Sequence, residues 1–411
     1  MAEFRWFNGN QGVSRYSQFG DFNFDQLRVD KIVGSYNFNA GPYAAQVMPW
    51  RYVATVEGGR IGQDSALVYT KGTITNLVFY NFDGEKLLRI SNLDTPVTAF
   101  MGFEASNIDY ATYGFLSAGG HRFVGSNDAS GDESDVTGDD ITTGSGDDVV
   151  KALGGDDYIR DLGGADDYRG GDGFDTVSYD EWYWSPEDAV QGIKANLKKG
   201  FVTGPDGTRD KLQGVEAVHG SFLDDTLKGN AKNNFFIGMQ GDDKIDGGDG
   251  IDRISYRNDA GQGGTDGILV DLKAGTIRDG FGTVDKVKNV ELVIGTDSDD
   301  VFWDDNGSST FRGHVGRDVL RTGRGDDKLE GGEGPDVFVF HGNDFGFDKV
   351  LDFNKEEGDK LNVRLASSFD DLTIVDEGDN VIIRFAAGTI ELSGFYIENP
   401  DQPIWAGDFL F

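Results

Sequence analysis

The sequence has 411 residues, among them 61 glycines, 8 prolines and no cysteine, which excludes a collagen-like chain, a disulfide framework and a thiolate metal site. The formal charge is −35, and residues 126–411 hold 27 basic and 61 acidic residues, a net of −34. Such acidity argues against nucleic acid and anionic membranes as partners, and no apolar run approaches the length of about 18 residues that a membrane span needs.

Residues 1–125 are nearly neutral, with 10 basic and 11 acidic residues, and we predict a β-rich N-terminal domain there. Runs of β-branched and aromatic residues flank Asp83-Gly84, which is a strong hairpin signal. A further strand is expected in the stretch QVMPWRYVATV, which begins at Gln46. The first residues, MAEFRWFNGN, have neither a basic nor an apolar segment, so they predict no signal peptide.

A nine-residue period begins after this region and fills three runs, 134–178, 220–255 and 295–339. Each repeat has a polar residue, usually Asp, with a large apolar residue two positions later and usually a glycine two positions earlier. The polar positions are Asp139, Asp148, Asp157, Asp166, Asp175, Asp225, Asn234, Asp243, Asp252, Asp300, Ser309, Asp318, Asp327 and Asp336. The glycines are Gly144, Gly146, Gly155, Gly164, Gly173, Gly241, Gly250, Gly316, Gly325 and Gly334.

The spacing of the repeat indicates a flattened coil. Six residues of each repeat form a turn, where glycine supplies positive φ, and three form a short strand with the apolar side chain inward. Successive turns fall on opposite edges, so residues 18 apart stack one strand spacing apart, roughly 4.8 Å. Asp148 then lies beside Asp166, and two carboxylates at that distance repel each other unless a cation lies between them. Carboxylate and carbonyl oxygens are the ligands that Ca²⁺ prefers.

The repeats resemble those of the RTX (repeats-in-toxin) family, and the resemblance covers residues from about 126 to the end. It implies an all-β fold, a right-handed parallel β-roll with Ca²⁺ between its turns, in which the aspartates and glycines named above provide the metal sites. We expect about six to eight ions from the stacked pairs. Departures from the pattern at Leu223, Lys232, Asn234 and Ser309 place individual ions in doubt.

Two related spacers separate the runs within the predicted roll, 126–340. Residues 192–220 align with residues 267–295 at a constant offset of 75, and both spacers predict strands that continue the coil. Asp210 and Asp285 match in this duplication; they are candidates for additional calcium ligands, although turn capping by Asp is the commoner role. The first spacer also contains Trp182, Tyr183 and Trp184, which either cover an apolar seam or form a platform for sugar rings.

After Phe340 the period stops, and residues 341–411 predict a β-rich C-terminal cap with turns near Gly378 and Gly388. Such a cap covers the open edge of the roll. Asp348, Asp352 and Asp359 are candidates for a terminal calcium site. The ending, WAGDFLF, resembles the uncleaved export signal of RTX proteins secreted by type I ABC exporters.

No known catalytic motif is found: the sequence has no H-E-x-x-H, no G-x-S-x-G and no phosphate-binding glycine loop. We therefore favour a secreted, non-enzymatic calcium-binding protein of an extracellular matrix, surface layer or adhesion system, with cell-surface polysaccharide or other surface proteins as partners. The alternative is a carbohydrate-binding or polysaccharide-modifying protein, with its site in residues 1–125 or at Trp182–Trp184. A glycosidase-like carboxylate pair within residues 1–125 belongs to that alternative.

Overall fold

The structure is a computed structural model. It describes the backbone of the strands at 3–6, 22–28, 31–36, 51–61, 69–80, 86–96 and 122–124, and residues 138, 140–143, 145–180, 189–342, 344–395 and 403–411. The regular elements bounded within these ranges are β-strands, apart from the 3₁₀ helices Ala260–Gln262, Phe369–Asp371 and Ala406–Asp408. No helix in this part of the chain combines the length and the apolar character needed to cross a membrane.

The chain divides into two compact units. The first contains residues 1–191 and 199–218, and the second contains residues 192–198 and 219–411. The domain boundaries expected near residues 125 and 340 remain a prediction.

The N-terminal part of the first unit is an antiparallel sheet, as the β-rich prediction expected. Its strands are β1 (Glu3–Trp6), β2 (Phe22–Arg28), β3 (Lys31–Tyr36), β4 (Arg51–Ile61), β5 (Tyr69–Tyr80), β6 (Lys86–Pro96) and β7 (Arg122–Val124). Strands β2 to β6 pair in sequence as a meander, and β1 pairs with β6. β5 and β6 are the arms of the predicted hairpin, whose turn at Asp83-Gly84 lies outside the described residues. β7 lies parallel to β1 and joins this sheet to the roll.

The first run and the first spacer form the next strands. They are β8 (Asp140–Thr142), β9 (Val149–Gly154), β10 (Tyr158–Arg160), β11 (Asp167–Asp172), β12 (Thr176–Ser178), β13 (Lys194–Asn196, in the second unit), β14 (Phe201–Thr203), β15 (Arg209–Gln213) and β16 (Ala217–His219, which spans the unit boundary). β8, β10 and β12 pair in parallel in one sheet, and β9 and β11 pair in parallel in the other. Paired residues such as Ile159 and Val177 are 18 apart, as the period predicted.

The second and third runs repeat this arrangement in the second unit. Their strands are β17 (Thr226–Lys228), β18 (Phe235–Ile237), β19 (Lys244–Asp246), β20 (Arg253–Ser255), β21 (Leu269–Asp271), β22 (Thr276–Arg278), β23 (Val284–Lys288), β24 (Leu292–Ile294), β25 (Val301–Trp303), β26 (Thr310–Val315), β27 (Val319–Arg321), β28 (Lys328–Glu333) and β29 (Val337–Val339). Phe302, Leu320 and Phe338 stack in register on β25, β27 and β29, and all three are fully buried. The predicted inward residues therefore form the core.

The second spacer continues the sheet with a change of strand direction. β23 pairs in parallel with β19, β22 is antiparallel to both β23 and β21, and β21 pairs in parallel with β25. In the first spacer, β15 pairs in parallel with β11 and antiparallel with β14. The strands predicted from the duplication are thus present in both spacers.

The C-terminal cap closes both sheets of the second unit. Its strands are β30 (Gly346–Val350), β31 (Lys360–Asn362), β32 (Thr373–Glu377), β33 (Asn380–Phe385), β34 (Gly388–Leu392) and β35 (Phe409–Leu410). β30 extends one sheet, followed by β34, β33 and β32, and β31 followed by β35 extends the other. The apolar tail is therefore a strand, with Phe409 buried and Leu410 and Phe411 exposed.

Candidate metal sites in the turns

Glycine allows the turns of the roll to stack closely. Eight of the predicted glycines have φ between 110° and 148°, a region that side chains rarely adopt. They are Gly155, Gly164, Gly173, Gly241, Gly250, Gly316, Gly325 and Gly334. At Gly334 a Cβ would overlap the carbonyl oxygen of Gly316, one turn earlier. The same close approach lies between Gly164 and the carbonyl of Gly146, so backbone oxygens of adjacent turns lie next to the repeat aspartates.

The repeat aspartates form a regular series of hydrogen bonds, which we call the aspartate ladder. The backbone N–H of Asp300 donates to Oδ1 of Asp318 at 2.8 Å, and that of Asp318 donates to Oδ1 of Asp336 at 2.9 Å. The same contact, at 2.7–3.0 Å, joins Asp148 to Asp166, Asp157 to Asp175, Asp225 to Asp243, Asn234 to Asp252 and Ser309 to Asp327. One oxygen of each acceptor carboxylate is thus held by the preceding turn.

The second carboxylate oxygen lacks such a contact at several positions. Within the described residues, the buried Oδ2 atoms of Asp243, Asp252, Asp318 and Asp336 have no hydrogen-bond partner. Burial raises the pKa of Asp243 to about 10, with Asp225 and Asp285 adding to the shift, and it raises the pKa of Asp336 to about 8. A buried, half-satisfied carboxylate is costly as an anion unless a cation neutralises it.

The two turns without an aspartate differ from each other. At Asn234 the side-chain Oδ1 accepts the N–H of Asn230 at 2.7 Å, so the amide is used within its own turn. At Ser309 the hydroxyl donates to Oδ1 of Asp304 at 2.6 Å, and Asp304 is buried. Asp304 therefore brings a carboxylate to the turn that lacks one. The repeat pattern did not mark it because it stands where most repeats have their first glycine.

The acids of the spacers lie in the ladder. Oδ1 of Asp210 accepts the N–H of Asp166 at 3.0 Å, and Oδ1 of Asp285 accepts the N–H of Asp243 at 3.0 Å. Both carboxylates are buried, and their two possible roles, calcium ligand and turn cap, stay predictions. Glu216 and Glu291 accept the N–H groups of Asp175 and Asp252 in the same way. Sequence reasoning missed this pair, although the two glutamates share the 75-residue offset.

The cap acids extend the ladder to its end. Oδ1 of Asp348 accepts the N–H of Asp327 at 3.0 Å, and Oδ1 of Asp359 accepts the N–H of Asp336 at 2.9 Å. Asp352 accepts the N–H groups of Gly331 and Gly332 at 3.0 and 2.7 Å. All three candidates for a terminal site thus contact the last repeats, two of them in ladder positions.

A different cluster lies in the first unit. Ligand oxygens of Asp161, Asp166 and Asp210, all buried, lie within 4.8 Å of one another. The hydroxyl of Tyr168 donates to Asp161 at 2.6 Å and also to Asp166, and that of Tyr179 donates to Asp210 at 2.8 Å. Asp161 stands where most repeats have their first glycine, so the repeat pattern did not mark it as a ligand.

Several predicted site residues lie outside the described residues. They are Asp139 and Gly144 of the first run of the sequence, and Trp182, Tyr183 and Trp184 of the first spacer. Their roles as metal ligands and as a ligand platform stay predictions.

The oxygen atoms of the turns fit calcium. The donors are carboxylates held by backbone N–H groups, next to backbone carbonyls, and this hard-oxygen set suits Ca²⁺ rather than a softer metal. The repeat aspartates from Asp148 to Asp336, together with Asp210, Asp285, Asp348 and Asp359, are the residues that would hold it. Bound calcium would supply the positive charge that these carboxylates need, and the backbone N–H groups would orient the carboxylates around the ion.

The raised pKa values predict how pH acts on the calcium-free chain. A carboxyl with a folded pKa of about 8, such as Asp336 or Asp348, binds a proton more tightly when folded than at its unfolded pKa near 3.9. Its stabilising contribution is complete below about pH 4 and is lost as the pH rises towards 8. Circular dichroism in chelator will show more strand at pH 5 than at pH 8. The reverse order would contradict this assignment.

Comparison with known proteins agrees with this geometry. The family model of the RTX calcium-binding nonapeptide repeat (4 copies) matches residues 142–177, 219–254 and 303–338. None of the curated proteins matches the chain. Among solved structures, the extracellular lipase LipA from Serratia marcescens is similar at 18% identity with a TM-score of 0.20; the match covers 72% of this chain and 40% of the lipase. The chain thus spans less than half of that lipase, and a likeness of this size carries no argument about activity.

The fold and the ladder define a parallel β-roll with metal sites built from oxygen ligands. The three matched segments coincide with the three repeat runs and with the core and ladder residues described above. The chain contains RTX calcium-binding nonapeptide repeats in each of its three runs.

Proposed function

We propose that this protein is secreted, folds outside the cell on binding calcium, and serves there as a non-enzymatic component of a matrix, surface layer or adhesion system. The observation that carries the proposal is the set of buried, half-satisfied ladder carboxylates. Extracellular calcium-binding modules have dissociation constants of about 10⁻⁴–10⁻³ M, so such sites fill outside the cell. Proteins with RTX repeats are typically secreted, which supports this location.

The proposal includes passage through a type I ABC exporter. Before calcium binds, like charges in the turns oppose folding, and an unfolded chain is what a narrow channel requires. The segment WAGDFLF, residues 405–411, supports this route because it resembles the export signal of RTX proteins that such exporters secrete.

An export assay tests this route. In cells that make the chain together with a type I exporter, the protein is expected in the medium, and its amount will fall strongly in the variant Leu410→Ser/Phe411→Ser. The matched control is Trp303→Ser, because Trp303 on β25 is an apolar residue of similar exposure, 40%. Immunoblots of medium and cells measure the ratio. Equal secretion with and without the exporter would rule this route out.

A further inference from the structure

One outer face of the second unit is basic, although the chain as a whole is strongly acidic. On the parallel strands β13, β17, β19 and β23, five exposed lysines point away from the core, and we call them the lysine face: Lys194, Lys228, Lys244, Lys286 and Lys288. The residues that alternate with them are inside the roll, where Leu227, Ile245 and Val287 are buried. The alternation of the strands therefore places the lysines together on one surface.

The register of the strands arranges these lysines in two rows. One row runs through Lys194, Thr226, Lys244 and Lys286, which are paired across adjacent strands. The other row has Lys228, Asp246 and Lys288 at consecutive paired positions. Four strands span about 14 Å, and the rows are about 7 Å apart.

The positive charge of the lysine face is largely uncompensated. Asp246 is the acid within the two rows, and its carboxylate forms a salt bridge of 2.8 Å with Lys288. Among the described residues, Lys194, Lys228, Lys244 and Lys286 form no salt bridge. Lys244 and Lys286 are paired directly across neighbouring strands. Two like charges in such a pair destabilise a sheet, so this pair does not contribute to the stability of the fold.

We propose that the lysine face binds a linear acidic polysaccharide, with its carboxylate or sulfate groups along the lysine rows. The regular strand spacing offers ammonium groups at repeated intervals, which suits a polymer with an anionic group on successive units. This inference deepens the proposed extracellular role by giving it a ligand class, and it rests on that role because the polymer would be met outside the cell.

The surroundings of the lysine face favour a narrow polymer over a duplex nucleic acid. Exposed acids of the turns, such as Asp224 and Asp242, come two residues before Thr226 and Lys244 and lie at the edge of the face. A single sugar chain fits within the two rows. The phosphates of a duplex, whose major groove alone is about 12 Å wide, would extend over these acidic turns.

The outward positions tolerate exchange of side chains, which makes the test possible. Lys244 and Lys286 each come directly after a ladder aspartate. At the equivalent position of other strands the residue is Thr226 on β17 and the acid Asp167 on β11. The variant Lys244→Glu/Lys286→Glu therefore keeps the core and the ladder. The matched control is Lys273→Glu/Lys328→Glu, which changes the net charge equally at two exposed lysines outside the lysine face.

Fluorescence anisotropy with labelled oligogalacturonate, dextran sulfate and neutral dextran, in saturating calcium, measures binding. We expect the wild-type chain to bind one or both acidic polymers, more weakly at about 300 mM than at about 50 mM NaCl. The lysine-face variant should lose at least about tenfold in affinity, since each substitution replaces a positive charge with a negative one. The control should stay within about twofold of wild type.

Each of the following outcomes would overturn the inference: binding to neutral dextran with equal affinity, equal losses in both variants, tighter binding to duplex DNA of equal charge, or self-association through the lysine face. Ultracentrifugation of the wild-type and variant chains without polymer detects the last. Circular dichroism in the same buffers separates the two proposals. A chain that needs no calcium to fold contradicts the proposed function, whereas a calcium-folded chain that ignores both acidic polymers contradicts only the role of the lysine face.

Discussion

Full removal of calcium at neutral pH is expected to abolish the strand signal of the roll and to expand the chain. Leaving a buried carboxylate without a compensating charge costs several kcal/mol, and a whole domain is stable by only about 5–15 kcal/mol. Buried carboxylate oxygens, among them those of Asp243, Asp252, Asp318 and Asp336, are without a hydrogen-bond partner in the described structure. A few such groups are enough to exceed the stability of the fold.

Circular dichroism and small-angle scattering, before and after chelation, measure this loss. Calcium added back in excess should restore both signals, because binding then contributes directly to folding. Magnesium is the matched control: it is smaller, demands octahedral geometry and gives up water reluctantly, so it should restore little. Strand content that survives complete calcium removal at pH 8 would show that the ladder is stable without the ion.

Asp318→Ala is expected to destabilise the calcium-bound protein by about 3 kcal/mol or more, the range for breaking a buried charge pair. Asp318 is fully buried in the middle of the ladder, where its carboxylate accepts the N–H of Asp300 and its own N–H donates to Asp336. Its loss removes a ligand and leaves the N–H of Asp300 without this acceptor. We also expect the number of bound ions to fall by at least one.

Asp344→Ala is the control for this substitution, because it removes the same charge from an exposed residue near the end of the repeats. It should change stability by less than about 0.5 kcal/mol. Urea unfolding in saturating calcium gives the stability, and equilibrium dialysis gives the number of ions. If the two variants prove equally stable and bind equal amounts of calcium, Asp318 is not a ligand.

The fold was predictable because one short pattern specifies both the core and the turns. The apolar residue two positions after each aspartate, such as Leu320 after Asp318, can be inward only if residues 18 apart are paired. Positive φ at Gly316 and Gly334 follows from the same pattern. A nine-residue repeat leaves one regular way to bury its apolar residue. The turn residues of each repeat and the packing of the whole core therefore favour the same coil.

The site residues that the repeat pattern missed either replace a glycine of a repeat or lie in the spacers between the runs. Asp161 and Asp304 both stand where most repeats have their first glycine, and Asp304 contacts Ser309 from there. Glu216 and Glu291 are longer than aspartate and lie in spacers, where strands reverse direction. Their positions depend on the path of the chain between elements, which a periodic pattern does not determine.

The ladder also has a direction, since each N–H donates to a carboxylate that comes later in the chain. Asp318 needs Asp336, Asp336 needs Asp359, and Asp327 needs Asp348. A turn therefore cannot be completed until at least 18 further residues have been synthesised, and the last repeats wait for acids of the cap. A chain truncated before the cap would therefore leave its last turns without their acceptor carboxylates.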